Sequence, residues 1–340
     1  MKDKKNILRN LIVFILLIIL TFYILLKDQN FNELYLVLMS VKKQYILIAI
    51  LAMCIYVTCE SINTRRVLKA LDENISFFKS IKYTLIGFFF SSITPAASGG
   101  QPMQIYYMCK EGISVSHSTL ALLIQLSTFQ IATISFALIS LFVNYRLLDG
   151  ALIGLFILGI TLNSTALILL LIGICSKKLS MGLINVAVKL LKLLKVKNLE
   201  DKKAKLEEEV KKYQDSADYI KSHKFVILKN LLTTCVQVIA FYSVTYWVYC
   251  SFGLNAESMF RVITIQALLY ATVSGIPSPG AVGVTEGGFV KIFKSVFPLE
   301  TISSAMLLSR GVSFYLLVIV CGITVSISSL KLKKIEKSRE

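Results

Sequence analysis

The chain has 340 residues, of which 55% are hydrophobic, with a mean hydropathy of +0.70 and a formal net charge of +17. Apolar runs such as 11–26 and 150–175 approach or exceed the roughly 20 residues that span a bilayer, so a soluble globular protein is excluded. Seven scattered cysteines without CxxC spacing and only two histidines favour neither a disulfide framework nor a zinc site.

The predicted elements begin with a span at 8–26. It follows a basic N-terminus, as in a signal peptide, but it ends in Lys27, Asp28 and Gln29 without a small-residue cleavage site, so we expect it to be retained. Hydropathy predicts about six full transmembrane helices, at 8–26, 45–64, 115–143, 150–175, 225–250 and 301–330. The charged segment 176–224 is expected to be an amphipathic helix on the cytoplasmic surface. We interpret it as solvated and beside anionic lipid, with a specific docking site as the alternative.

Lysines and arginines collect in loops of one parity: the N-terminus, 65–82, 177–229 and the tail from Lys331. The opposite loops hold few basic residues, namely Lys27, Lys42, Lys43, Arg146 and Arg261, with Lys291 and Lys294 nearby. This asymmetry follows the positive-inside rule and places both termini in the cytoplasm of a bacterial inner membrane. The positive charge therefore requires no nucleic-acid partner.

Two clusters rich in proline and glycine, at 94–102 and 277–286, interrupt the most hydrophobic parts of the chain. Given the directions of the flanking spans, the hairpin 83–111 enters and leaves on the cytoplasmic side, whereas 259–297 enters from outside. Pro95 and Pro279 lie at similar distances after the start of the preceding span. The sequence thus predicts an all-α polytopic membrane protein with two oppositely oriented re-entrant hairpins. Residues 45–143 and 225–330 form an inverted repeat, joined by the span 150–175.

Non-helical backbone at membrane depth is tolerated where it is buried in protein or lines a polar cavity, so both clusters are candidate sites. We expect Pro102 in the first turn of a helix resuming after Gly99 and Gly100, where glycine permits a positive φ. Free amides at two half-helix N-termini would then hold a phosphate or carboxylate. The alternative is that proline and glycine only kink packed helices.

Glu286 and Arg310 are each expensive alone in hydrocarbon and form the natural intramembrane pair. Either the pair is structural, or Arg310 neutralises an anionic head group while Glu286 orients it or receives a substrate amine. Polar stripes with Gln125 and Thr128 in one span, and Thr233 and Gln237 in another, are expected to pack helices together.

The pattern 92–95 with 99–102, then 277–280 with Gly283 and Glu286, then Arg310 with Tyr315, resembles the flippase-like membrane domain of lysyl-phosphatidylglycerol synthases. These are the multiple peptide resistance factors. The basic stretch 65–71 also looks like that family, so the resemblance covers essentially the whole chain. It implies a domain that moves aminoacylated lipid outward, without the soluble synthase domain. The transferase name is therefore expected to be a family name only. Gln101 and Gln104 stand where many relatives carry charged residues, which leaves the preferred substrate charge open.

The sequence thus predicts a lipid flippase-like transporter that moves a phospholipid or aminoacyl-phospholipid, such as lysyl-phosphatidylglycerol, between leaflets, linked to cationic peptide resistance. The alternatives are the membrane subunit of a phosphatidylglycerol lysyltransferase, a carrier of another amphiphile such as a polyprenyl-linked sugar, and a non-transporting scaffold. We expect no cofactor, metal or catalytic residue. A separate lysyltransferase and a second copy of the chain are the further partners considered. The candidate substrate-binding residues are Pro95, Ser98, Gly99, Gly100, Gln101, Pro102, Pro277, Pro279, Gly280, Gly283, Glu286, Arg310 and Tyr315.

Overall fold

The computed structural model of the chain describes residues 35–36, 39–94, 97–176, 199–276 and 279–337, and no strand occurs among them. The helices are α1 (Lys43–Ala70), α2 (Phe77–Ile93), α3 (Gly100–Lys110), α4 (Val115–Asn144), α5 (Gly150–Cys175), α6 (Leu199–Ser222), α7 (Lys224–Ser251), α8 (Met259–Val273), α9 (Val284–Ile292), α10 (Ile302–Arg310) and α11 (Leu316–Lys337). The all-α class is confirmed for the described residues. The predicted first span 8–26 lies outside them.

Five helices within the described ranges are long and apolar enough to cross a membrane: α1, α4, α5, α7 and the stretch Ile302–Leu330. They match the five predicted spans that the structure describes. Ser114 and Asp149 cap α4 and α5, and their side chains accept hydrogen bonds from the backbone N–H of His117 and Leu152. These caps explain why the predicted starts of 115–143 and 150–175 were accurate.

Helices α1 and α7 form the central antiparallel pair. At one end, the backbone N–H of Lys42 donates to the carbonyl oxygen of Ser251 at 2.8 Å. Towards the other end, Asn63 Nδ2 donates to Thr234 Oγ1 at 2.9 Å. Hydrogen bonds between polar side chains are one of the ways in which membrane helices associate, because lipid tails supply no hydrophobic force between helices.

Each broken segment is a helical hairpin, formed by α2 with α3 and by α8 with α9. Each hairpin packs against spans from both halves of the chain. The first hairpin lies against α1 and α11 and also touches α4, whereas the second lies against α4, α5 and α7. Each hairpin therefore contacts the span before it and the last helix of the opposite half. This pattern of contacts is compatible with an inverted repeat, and the membrane entry of the hairpins stays a prediction.

The two ends of the first hairpin meet at Glu111. Its carboxylate pairs with Lys82 and accepts a hydrogen bond from Tyr83 Oη at 2.9 Å. Burial raises the pKa of the Glu111 carboxyl, but the hydrogen bonds from Lys82 and Tyr83 outweigh burial and hold the pKa below its usual value. The two ends of the hairpin therefore lie beside each other, while the membrane face on which they lie stays a prediction.

The second half of α6 packs on the bundle. Glu209 accepts a hydrogen bond from the backbone N–H of Ser116 at 3.1 Å, Tyr213 Oη donates to the Gly173 carbonyl at 2.8 Å, and Ile220 is buried. This part of α6 therefore contacts the other helices of the chain, while its place on the cytoplasmic surface stays a prediction. Apolar side chains among lysines predicted amphipathicity, but they did not reveal that the apolar face covers protein.

Candidate functional site

The loop of the second hairpin bends through left-handed backbone. After α8, a short 3₁₀ turn at Pro279–Ala281 leads into α9, and φ is 59° at Gly280, 52° at Ala281 and 82° at Gly283. A Cβ on Gly280 would lie 2.2 Å from Phe314 Cζ. Glycine is therefore required at position 280 both for backbone conformation and for contact with the last helix.

Glu286 connects this loop to the last helix. Its Oε2 accepts a hydrogen bond from the Gly283 N–H at 2.6 Å, which caps α9. Its Oε1 accepts from Arg310 Nε at 2.9 Å and from Tyr315 Oη at 3.4 Å. The Glu286 side chain is 4% exposed and that of Arg310 is 11% exposed. The predicted Glu286–Arg310 pair is confirmed.

Arg310 makes two further contacts. Its Nη2 donates to the Gly280 carbonyl oxygen at 2.9 Å, and its guanidinium lies 4.3 Å from the centre of the Phe314 ring. Residues Gly311–Tyr315 form a single π-helical turn between α10 and α11. Such turns are frequent at functional sites. Arg310 thus holds the left-handed loop in place, which gives the structural interpretation of the pair direct support.

The second half-helix carries an acidic side chain at its own N-terminus. The Gly283 N–H donates to Glu286, and the Glu286 carboxylate lies where the helix dipole would attract an anion. What remains open is the surface beside the pair, since a Cβ on Gly283, Gly287 or Gly311 would meet nothing within 4 Å. An anion near this loop would therefore be drawn by Arg310 more than by the α9 amides.

The loop of the first hairpin uses Thr94, which sequence reasoning missed. Thr94 Oγ1 donates to the Phe90 carbonyl at 2.7 Å and accepts from the Gly99 N–H at 2.9 Å, so this amide is occupied as well. Helix α3 begins at Gly100 and Pro102 lies in its first turn, as predicted. Pro95 lies outside the described residues.

The predicted positive φ does not fall on glycine in this loop. It occurs at Ala97, with φ 54°, while Gly99 has φ −86°. Gly100 is needed instead for close approach, because a Cβ there would lie 2.0 Å from Ser91 Oγ and 2.7 Å from the Gly87 carbonyl. Helix packing inside the hairpin therefore explains this glycine.

The structure brings the second loop against the first hairpin. Helix α2 contacts the turn Pro279–Ala281, and the rings of Phe88 and Phe314 lie 6.2 Å apart. The remaining predicted residues of the first loop are placed differently. Ser98 and Pro102 are exposed and Gln101 is half-buried, whereas Pro277 of the second loop lies outside the described residues. Gln104 is buried and donates from Nε2 to the Tyr83 carbonyl at 3.0 Å, so it packs the hairpin.

A second acid, Glu60 of α1, was also missed. Gln237 Nε2 donates to Glu60 Oε2 at 3.3 Å, and Gln125 is a further hydrogen-bond partner of this carboxylate. These are the glutamines of the two stripes that were assigned to packing. The signal was available, since Glu60 is an acidic residue inside the predicted span 45–64, and such residues are functional candidates.

The bundle of apolar helices and its two internal hairpins define a multi-pass membrane protein. The chain belongs to the family described as the lysylphosphatidylglycerol synthase TM region, whose model matches residues 7–321, so the family resemblance is confirmed. It is also similar to the UPF0104 membrane protein PH1989 of Pyrococcus horikoshii. The two are 25% identical over 291 residues, which cover 83% of this chain and 86% of the relative.

Proposed function

We propose that this protein moves an anionic or aminoacylated phospholipid between the leaflets of the bacterial inner membrane, with both termini in the cytoplasm. The observation that carries the proposal is the loop tied to the last helix by Glu286 and Arg310, beside open space at Gly283 and Gly287. Membership of the family supports a lipid as the substrate, because its description names a phospholipid synthase.

Arg310 is the residue proposed to meet the head-group phosphate. A guanidinium forms paired hydrogen bonds with phosphate, and stacking on Phe314 fixes its plane. Arg310 Nη2 is held by the neutral Gly280 carbonyl, a weaker partner than a charged phosphate. A phosphate would therefore displace the Gly280 carbonyl and keep the Glu286 pair.

Losing the Gly280 contact would release the loop from the last helix. Each hairpin lies against the last helix of the opposite half, so movement of one loop changes the contact between the halves. The proposed cycle is a rocking of one repeat against the other around the head group, with the lipid tails remaining in the bilayer.

The test is leaflet exchange in liposomes. Purified protein is reconstituted with labelled phosphatidylglycerol or its lysyl derivative, and accessibility of the label to an external quencher is followed over time. We expect the wild type to exchange lipid faster than empty vesicles, and Arg310→Gln to lose this activity while staying folded in the membrane. The control is Arg261→Gln, which removes an exposed arginine paired with Glu257 at 3.0 Å.

The outcomes distinguish the role of Arg310 from lipid transport by the protein as a whole. If Arg310→Gln exchanges lipid at the wild-type rate, the assigned role of Arg310 is wrong. If the wild type does not exceed empty vesicles with either lipid, the scaffold alternative or the synthase-subunit alternative replaces the transporter.

A further inference from the structure

Glu60 is an acidic residue of α1, one of the helices long and apolar enough to cross a membrane, and no described cation is paired with it. It lies about 15 Å from the end of α1 at Ala70, at 1.5 Å per residue. No lysine, arginine or histidine in the described part of the chain forms an ion pair with it. Its partners are neutral: Gln237 of α7, Gln125 of α4 and Tyr56 of α1.

The titratable groups that the structure describes on the surrounding helices do not supply a positive charge either. Cys321 of α11 lies within electrostatic range of Glu60, and Tyr270 of α8 lies near Tyr56. An ionised carboxylate among amides, phenols and a thiol is poorly compensated, whereas the protonated acid both donates and accepts hydrogen bonds there. The surroundings therefore suit a carboxyl group that holds a proton.

Two groups of hydrogen-bonded polar side chains lie between Glu60 and the end of α1 that is predicted to face the cytoplasm. Gln125 accepts from Thr64 Oγ1, Thr234 Oγ1 donates to Thr128 Oγ1 at 3.3 Å, and Asn63 Nδ2 donates to Thr234 Oγ1 at 2.9 Å. Arg66 then donates to Asn63 Oδ1 at 2.9 Å and to Asn230 Oδ1 at 2.7 Å. Polar side chains therefore line the junction of α1, α4 and α7 between Glu60 and Arg66.

Tyrosines lie on the other side of Glu60, towards the start of α1. Tyr242 is 1% exposed, and its hydroxyl has no hydrogen-bond partner among the described residues, while it interacts electrostatically with Tyr56 and Tyr270. The rings of Tyr242 and Tyr270 lie 5.9 Å apart.

We propose that Glu60 takes up and releases one proton in each transport cycle and thereby couples lipid movement to the proton gradient. The inference rests on the proposed lipid transport. The proton forms one O–H bond with the carboxylate on one side and returns to water on the other, so no redox partner is needed. With singly anionic phosphatidylglycerol, the joint movement of lipid and proton transfers no net charge.

The position of Glu60 explains how protonation would act on the fold. Its partners come from both halves, Gln125 from the first and Gln237 with Cys321 from the second. Gaining or losing a charge at this junction changes the relative energies of the two rocking states, which is the requirement for coupling.

The test combines transport with spectroscopy. In liposomes containing labelled phosphatidylglycerol, a gradient of one pH unit should drive an about tenfold difference of label between leaflets at one proton per lipid. Reversing the gradient should reverse the difference. Glu60→Gln should show no response to either gradient, whereas Glu300→Gln, which removes an exposed acid, should respond as the wild type does.

Infrared difference spectra of the same proteins test proton binding without any transport. The wild type and Glu300→Gln should show a carboxylic acid carbonyl band that titrates with pH and is missing in Glu60→Gln. If no such band is lost in Glu60→Gln, or if this variant still responds to the gradient, the proton site is wrong. If the band titrates but the wild type moves no lipid, the proton site stands and the proposed transport fails.

Discussion

The two acids at the centre of this protein, Glu286 and Glu60, differ in every partner. Glu286 is paired with Arg310, capped on Gly283 and bonded to Tyr315, so its charge is compensated from several sides. Glu60 has two amides and a phenol around it and no ion pair with any described residue. The comparison teaches that two acids in one membrane protein can have different surroundings. Those of Glu286 suit a fixed charge that holds a loop, and those of Glu60 suit a carboxyl group that gains and loses a proton.

Breaking the Glu286–Arg310 pair should give the largest change in stability. Arg310→Gln leaves Glu286 buried without its cation, and we expect the free energy of unfolding to fall by about 3 kcal/mol or more. The double variant Glu286→Gln with Arg310→Gln leaves no unpaired charge and should recover most of the loss. Denaturation in mixed micelles measures the wild type, Arg310→Gln, Glu286→Gln and the double variant.

A double variant that loses as much as the two single variants added together would show that the residues act independently. The pair would then not be the connection between the loop and the last helix.

The shape of the loop around this pair should be the next most sensitive feature. Gly280→Ala places a methyl group 2.2 Å from Phe314 Cζ on backbone with φ 59°, and we expect a loss of about 2 kcal/mol in unfolding free energy. Gly287→Ala, in open space within α9, is the matched control and should stay within about 0.5 kcal/mol of the wild type. Equal losses in the two variants would show that the contact with Phe314 is not limiting.

The sequence predicted the parts of this fold that depend on periodic or charge signals. Apolar length located the spans, and the two clusters of proline and glycine located the breaks between shorter helices. The mutual cost of isolated charges predicted Glu286 with Arg310. These signals are local or pairwise, so they can be read without knowing how the helices pack.

Features that arise from packing were not predictable in this way. Gly100 is required by a neighbouring helix and not by its own φ, and Thr94 closes a loop through side-chain bonds that many sequences could make. The glutamines 125 and 237 have an ordinary packing pattern in their own helices. Only the fold shows that they converge on Glu60 from different halves.

The smallest expected change in stability is that of Glu60→Gln. Its unfolding free energy tests whether Glu60 and Glu286 have different roles. Glu60→Gln keeps the volume and the hydrogen-bonding capacity of a neutral acid and leaves no cation unpaired. We therefore expect its free energy of unfolding at neutral pH to lie within about 0.5 kcal/mol of the wild type. Glu286→Gln, measured beside it, should be much less stable, because Arg310 then lies buried against an amide. If instead Glu60→Gln loses as much as Glu286→Gln, Glu60 is an ionised and compensated group in the folded protein. It would then be a structural acid like Glu286, and coupling to protons would have to be sought at another residue.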